Sequence, residues 1–489
     1  MSAVLLLLVI LCLAFVGSRL FVMVGVATAL CFLLFAGGDV DPALQLDRIV
    51  TKMESLTTKN VFLSIPFFIA AGSIMTRGGI ARRLTDLAAA LVGWMPGGLA
   101  VASIVACVVF AAISGSSPVT LVAVGGVMYP ALVAAGYPKR FSIGLIAAAG
   151  SLGCMIPPAI AMLIYSIAVQ GQAAVDPADL FFAGLVPALF IAGSLAVYAI
   201  IVGSRVPGSR QPFDASGLGR AFLGAGWSLT LPCIVLGGIY GGVFTPTEAG
   251  AVAFAASVVV ATFVHRDVTV GQLPAILAEA ATLMGSLILI VVLAFGLNDF
   301  LAEVDAPGAI RAWSEGSGLS GWQFMLVVNG VLVVLGALMD SISATLVFAP
   351  ILAPVAIHTY GIDPIHFGIV FVVNMEIGYI APPVATNLFV AAAIFRVPFA
   401  EVARAILPTL AIICGALLVI MYFPVLSKGP LNWREGRPVW ESFPWDGPPA
   451  AEVVPEGSAL DEPMPGRPMT MEEMMRRARE RAAQEGSAP

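Results

Sequence analysis

Charge is what this sequence has least of. Only 11% of its 489 residues are Asp, Glu, Lys or Arg, against 59% hydrophobic, and a water-soluble chain of this length needs far more polar surface. Histidine is nearly absent: His265, His358 and His366 are scattered, which leaves a His-based metal site or catalytic triad without support. Cys12, Cys31, Cys107, Cys154, Cys233 and Cys414 all stand in apolar runs without metal-ligand spacing, so they read as small hydrophobes in helix packing. There is no basic excess, the formal net charge being -6, and nucleic acid is excluded as a partner. Paired catalytic acids, a Ser/Lys dyad and a zinc motif are equally missing, which argues against an enzyme and against an organic cofactor.

What is present is apolar sequence of membrane-spanning length, repeated from Val4 to Leu426 with short Gly/Pro or charged connections, for a mean hydropathy of +0.98. About 11 to 14 such stretches can be counted, depending on how broken ones are treated, and lipid is the solvent for most of the chain. The first, Val4 to Gly17, has no basic region before it and is followed at once by a second apolar run from Leu20, so it reads as a retained helix rather than a signal peptide. From about Lys428 the composition turns to Pro and charge, as expected outside a membrane. Glu472, Glu473, Arg476, Arg477 and Arg479 are mixed in sign at helical spacing; a disordered tail with a weak helix and a docking element for a partner both fit.

The chain is written twice. Gly153-Cys-Met-Ile-Pro157-Pro158 returns as Gly378-Tyr-Ile-Ala-Pro382-Pro383, a separation of 225 residues that also carries Gly136 to Gly361 and Ser116 to Ser341. With a slip of a few residues, Gly93-Trp94 matches Gly321-Trp322. Chance similarity between apolar segments does not hold Gly/Pro punctuation in register, so the halves are a duplication. Their charges differ in sign. The loop with Lys139 and Arg140 corresponds to one with Asp363 and His366, and Arg77, Arg82 and Arg83 correspond to a region with Glu303, Asp305 and a single Arg311. Lys and Arg mark the cytoplasmic side, so opposite orientations, an inverted repeat, are implied, with ligand sites at the midplane between repeats.

Two consecutive prolines remove two N–H donors and leave the preceding carbonyls without helical partners. In hydrocarbon such groups must be satisfied by protein, water or an ion, and free carbonyls are hard ligands suited to sodium. Each break follows a polar element, Ser114-Gly115-Ser116-Ser117-Pro118-Val119-Thr120 in the first half and Asp340-Ser341-Ile342-Ser343-Ala344-Thr345 in the second. As tips of re-entrant helical hairpins they would present hydroxyls, carbonyls and helix N-termini, the last attracting a carboxylate. The plainer account is that small residues there only let helices pack closely. Asp340 suits either a cation site or a helix cap. Glu376, whose counterpart is Ser151, suits either a bond to a neighbouring helix or proton or sodium coupling. Glu248, in Thr245-Pro246-Thr247-Glu248, reads as a capping residue.

At this point a family can be named. IPFFIAAGSIMTRGGIARRL, AISGSSPVTLVAVGGVMYPAL, GCMIPPAIAMLIY, GGIYGGVFTPTEAGAVA and MEIGYIAPPVATNLFVAA resemble the large membrane subunit of tripartite ATP-independent periplasmic (TRAP) transporters. The resemblance covers Val4 to about Leu426. It implies an all-α polytopic inner-membrane protein of inverted-topology repeats, with two re-entrant hairpins, two broken helices, and a scaffold around an elevator-type transport domain. It implies import of an organic acid driven by a sodium gradient, with substrate delivered by a periplasmic binding protein. It further implies a first sodium site at Ser114, Ser116, Gly153, Ile156 and Pro158, and a second at Asp340, Ser341, Gly378, Ala381 and Pro383. Substrate contacts would fall on Ser116, Thr120, Thr386 and Asn387. Ala381 stands where the family commonly has threonine, and Ala385 and Ala111 where glycine is common, which bears on the second sodium site and on substrate preference.

No small four-span subunit is fused ahead of Met1, so a separate small membrane subunit is expected as partner. The expected organisation is residues 1–60 as N-terminal scaffold, 61–170 as first transport repeat, 171–284 as central scaffold, 285–400 as second repeat, 401–427 as a last transmembrane helix and 428–489 as a polar tail. A stand-alone sodium-coupled dicarboxylate carrier is the alternative within transport. An uncoupled channel is the alternative outside it.

Overall fold

The structure, a computed structural model, describes residues 20–35, 60–170, 173–206, 212–339, 341–383 and 385–440. Every regular element among them is helical. Seven helices are long and apolar enough to cross a membrane, or nine if two bent pairs each count as one span. The first expected span, the Asp340 position and the expected helix around Glu472 to Arg479 lie outside the described residues.

The first half comprises α1 (Leu20–Phe35), α2 (Asn60–Arg77), α3 (Ile80–Val92), α4 (Gly98–Ser114), α5 (Ser117–Ala134), α6 (Lys139–Ser151), α7 (Ile160–Ala168) and α8 (Pro177–Gly203). A linking helix, α9 (Ala215–Tyr240), leads to the second half. That half comprises α10 (Pro246–Val259), α11 (Leu273–Glu303), α12 (Ala306–Gly316), α13 (Gly321–Leu338), α14 (Ser341–Pro354), α15 (Pro364–Ile380) and α16 (Thr386–Phe395). The bent pair α17 (Phe399–Ala405) and α18 (Leu407–Tyr422) follows, then α19 (Val425–Arg434).

The duplication is carried by backbone as well as by sequence. α6 and α15 begin 225 residues apart, and the glycines that end the preceding hairpins, Gly136 and Gly361, both have positive φ, +86° and +66°. Such φ values are open to glycine without a Cβ penalty. Local signals place the helix starts: Thr245 and Glu248 form the expected capping box at α10, Asp176 caps α8, and Asp363 accepts from the amides of Ile365 and His366 at the start of α15.

Burial divides the helices into two groups. Every residue from Phe141 to Val169, and from His366 to Gly378, is buried, as befits segments apolar all round. By contrast α9 exposes Phe222, Leu223 and Trp227, which suits a lipid-facing surface. Between these groups, α3 turns 73° from α2 and buries Ile80, Leu84 and Ala88 on one stripe, the i, i+4, i+8 spacing of an amphipathic helix. The first hairpin, α4–α5, is held at its base where Gly97, at φ +70°, meets Gly203 of α8; a Cβ on Gly203 would stand 2.2 Å from Gly97 Cα.

The C-terminal end differs from the sequence expectation in one respect. The boundary drawn at Lys428 falls inside α19, and Lys428 itself is buried, its Nζ 2.8 Å from Asp363 Oδ2. Arg434 of the same helix pairs with Asp179 at the start of α8. A lysine that reads as solvent-facing in a polar run is here the counter-charge of a helix cap.

Candidate substrate and cation site

The first hairpin turns at Gly115, whose φ of +60° ends α4, and at extended Ser116, which precedes α5. Thr120 Oγ1 lies 2.9 Å from the Ser116 carbonyl, to which it donates, and 2.8 Å from Ser114 Oγ. The second copy repeats the first of these bonds: Thr345 Oγ1 donates to the Ser341 carbonyl at 2.6 Å. A matched threonine therefore braces each serine, and the pattern S-x-x-x-T was visible in the sequence.

The first tip rests on the first break. Pro157 and Pro158 are joined by a cis bond, as are Pro382 and Pro383. The amide of Ile160, in the opening turn of α7 and so without a helical partner, donates to the Gly115 carbonyl at 3.2 Å. A Cβ on Gly115 would fall 2.2 Å from the Pro158 carbonyl oxygen, and one on Gly153 would fall 2.7 Å from the Ser116 carbonyl. Only glycine at these two positions allows tip and break to approach so closely. Ser114, Ser116, Gly153 and Pro158 are thus gathered around one tip, with Ile156 buried in the break between Gly153 and Pro158, and they carry hydroxyl and carbonyl oxygens of the kind a sodium ion takes.

The second copy is built differently. Ser341 Oγ donates to the Met375 carbonyl at 3.1 Å, and Gly378 packs against Gly336 of α13, where a Cβ would come within 2.6 Å of the Gly336 Cα. The glycine of the second break therefore faces the incoming arm of its hairpin. In the first half it faces the tip. Ala381 is buried at the end of α15 and Pro383 is exposed.

Between the two copies lies a cavity of about 380 Å³. Ser114, Ser116 and Ser117 line it from the first tip, Tyr379 and Thr386 from the second break, and Ser73 from α2. Leu283, Leu287 and Ile290 of α11 also line it. Of the four expected substrate residues, Ser116 and Thr386 line this space. Thr120 and Asn387 are buried behind it, Thr120 on Ser114 and Asn387 on Ser117, whose Oγ its Nδ2 reaches at 2.5 Å. Ser117 and Tyr379 were not singled out by sequence reasoning. Ser117 had the signal of lying in the serine run; Tyr379 had none beyond its place in the break.

No Lys, Arg or His stands among the described lining residues. The starts of two helices, α5 at Ser117 and α16 at Thr386, line the cavity instead, and the positive end of a helix dipole favours a carboxylate or other anion.

Comparison with known proteins agrees with this architecture. Residues 4–426 match the family model described as tripartite ATP-independent periplasmic transporter, DctM component. The chain is 41% identical over 413 residues to the C4-dicarboxylate TRAP transporter large permease protein DctM of Pseudomonas aeruginosa, covering 84% of this chain and 93% of that one. It is 40% identical to the protein of the same description from Rhodobacter capsulatus, over 78% of this chain and 90% of the relative. It is 36% identical to the isethionate TRAP transporter permease protein DctMQ of Oleidesulfovibrio alaskensis, over 83% of this chain and 64% of the relative. In fold it is similar to the YdaH transporter of Alcanivorax borkumensis, with a TM-score of 0.58 at 16% identity over 83% of this chain and 91% of that one. The chain belongs to the DctM-component family of tripartite ATP-independent periplasmic transporters, and is a multi-pass inner-membrane permease subunit, not an enzyme.

Proposed function

We propose that the chain imports an organic acid, with a C4-dicarboxylate as the first candidate, driven by a sodium gradient and supplied by a periplasmic binding protein. A separate small membrane subunit completes the complex, and the repeats carry substrate by an elevator motion against the scaffold. The observation that carries this reading is the cavity itself: two helix N-termini and four serines line it, and no Lys, Arg or His is among its described lining residues. A dianion there needs cations close by, and the Ser114–Gly153–Pro158 cluster at its edge offers hard oxygen ligands for one. The dicarboxylate relatives support the substrate class.

The test is uptake of radiolabelled succinate into proteoliposomes that hold the chain with its small subunit, with loaded binding protein outside. Uptake is expected only with an inward sodium gradient, and equal uptake under a proton gradient alone would overturn the coupling. Undiminished uptake without the binding protein would favour the stand-alone carrier. Ser116→Leu is expected to abolish uptake with assembly intact; normal uptake in that variant rejects the site.

A further inference from the structure

Three pairs of counterparts, 225 residues apart like the two breaks, line the cavity: Ser117 and Ile342 in the opening turns of α5 and α14, Cys154 and Tyr379 beside the break glycines, and Ala161 and Thr386 in the opening turns of α7 and α16. The same positions of the repeat thus reach it from both halves, and equal residues would make its two sides alike. They are not alike. In every pair the second-half residue is the larger: isoleucine against serine, tyrosine against cysteine, threonine against alanine. In every pair it is also the more open. Ser117, Cys154 and Ala161 are buried, at 1%, 4% and 5% exposure, whereas Ile342 and Tyr379 are half-buried and Thr386 is exposed.

The recess on the first side has a cause in its hydrogen bonds. Cys154 is bonded to Ser117, and Asn387 Nδ2 reaches Ser117 Oγ at 2.5 Å. The projection on the second side is fixed by packing. Gly378 is set against Gly336 of α13, where a Cβ would stand 2.6 Å from the Gly336 Cα, and the next residue on a helix points about 100° further round. With α15 held in that rotation, Tyr379 turns away from α13. Of residues 366–380 it alone is not buried, and the surface it keeps opens on the cavity. At about 380 Å³ the cavity is near the small end of the roughly 300–1,000 Å³ usual for small-molecule sites, so a ring projecting into it takes space that a ligand chain would otherwise fill.

We propose that Tyr379 is a specificity-determining residue of the permease: its ring, with Ile342 and Thr386 of the same half, is the stop that limits how long a substrate chain the cavity takes. The serine-rich first side supplies the polar contacts, and the second side supplies the limit. A six-carbon diacid carries two more methylenes than a four-carbon one, and these would meet the ring. Chain length is then checked in the membrane itself, after delivery. That the ligand is a carboxylate rests on the transport reading above; the unequal walls do not.

The test is binding of radiolabelled succinate to the purified chain with its small subunit in lipid nanodiscs, with sodium and without binding protein, competed by unlabelled succinate, glutarate and adipate. In wild type, adipate is expected to compete at least about tenfold more weakly than succinate, since one methylene in a fitted pocket is worth about tenfold or more. In Tyr379→Cys, which installs the counterpart residue, that ratio is expected to shrink by at least about tenfold, and in Tyr379→Phe, which keeps the ring, to stay within about twofold of wild type. An assembled Tyr379→Cys that keeps the wild-type ratio overturns the proposal, as does one that no longer binds succinate, because the ring then binds rather than limits. Should Tyr379→Cys not assemble, Tyr379→Leu is read in the same way. If wild type binds no diacid, the organic-acid reading fails by itself, and placement of the ring is decided by labelling. Tyr379→Cys, followed at its own peptide by mass spectrometry, is expected to react with a charged thiol reagent at least about tenfold faster than Ile380→Cys, at a fully buried position. Equal rates overturn the proposal.

Discussion

Asn387 Nδ2, at the start of α16, lies 2.5 Å from Ser117 Oγ, at the start of α5. Both side chains are buried, and 270 residues separate them. This bond ties the second break to the first hairpin tip directly behind the cavity wall. Replacing Asn387 by Leu leaves Ser117 Oγ without that donor and is expected to cost about 1–3 kcal/mol. In a double-mutant cycle with Ser117→Ala, thermal melting should show a coupling energy of about 0.5–3 kcal/mol. Strict additivity would show that the bond does not form in the membrane.

Gly115→Ala places a Cβ 2.2 Å from the Pro158 carbonyl at a residue with φ +60°. Strain and collision act together, and a loss of about 2 kcal/mol or more is expected with uptake abolished. Gly126→Ala is the control. It lies within α5 with no atom within 4 Å of the new Cβ, and should be neutral or stabilising by up to about 1 kcal/mol.

Sodium is expected to raise the melting temperature of the purified complex relative to choline, since a ligand bound only by the folded state stabilises it. Thr120→Val removes bonds to both Ser114 and Ser116, whereas Thr345→Val removes the one to Ser341. The first substitution should therefore weaken the sodium effect more, by about tenfold in apparent affinity for about 1.4 kcal/mol. Equal effects would show that the two tips are equivalent.

Arg83 on α3 clasps Asp267, in the connection after α10, with nitrogen–oxygen distances of 2.5 and 3.1 Å, and the Gly79 amide donates to the same carboxyl at 3.0 Å. The Arg83 hydrogen bond, with help from Gly79, holds the Asp267 carboxyl below its usual range against the opposing effect of partial burial. A depressed folded-state pKa means that the pair's contribution is present above the unfolded value of about 3.9 and fades as pH falls through the folded one. Asp267→Asn should lower the melting temperature at pH 7, and the difference from wild type should shrink below about pH 4. A difference that stays constant with pH assigns the loss to packing.

The repeat, the two proline breaks and the serine-rich tips were legible because Gly and Pro act locally, through φ and through the missing N–H. So was the cap at Thr245, whose partner Glu248 lies three residues on. What could not be read was pairing across the copies. Nothing local to Asn387 marks Ser117 as its partner, and Lys428 looks like a solvent-facing charge until Asp363 is beside it. The unlike setting of Gly153 and Gly378 is also non-local, because the same six-residue motif meets a tip in one half and a hairpin arm in the other.

The first hairpin is fastened twice, at its base by Gly97 against Gly203 and at its tip by Gly115 against Pro158. A flap must have one free edge and one hinge, and this element has neither. Swinging the tip away would break the Ile160-to-Gly115 bond and leave the broken helix bare to lipid or water. A motion that kept both fastenings would carry the hairpin together with the first break and the end of α8, as a drawer slides rather than as a door opens.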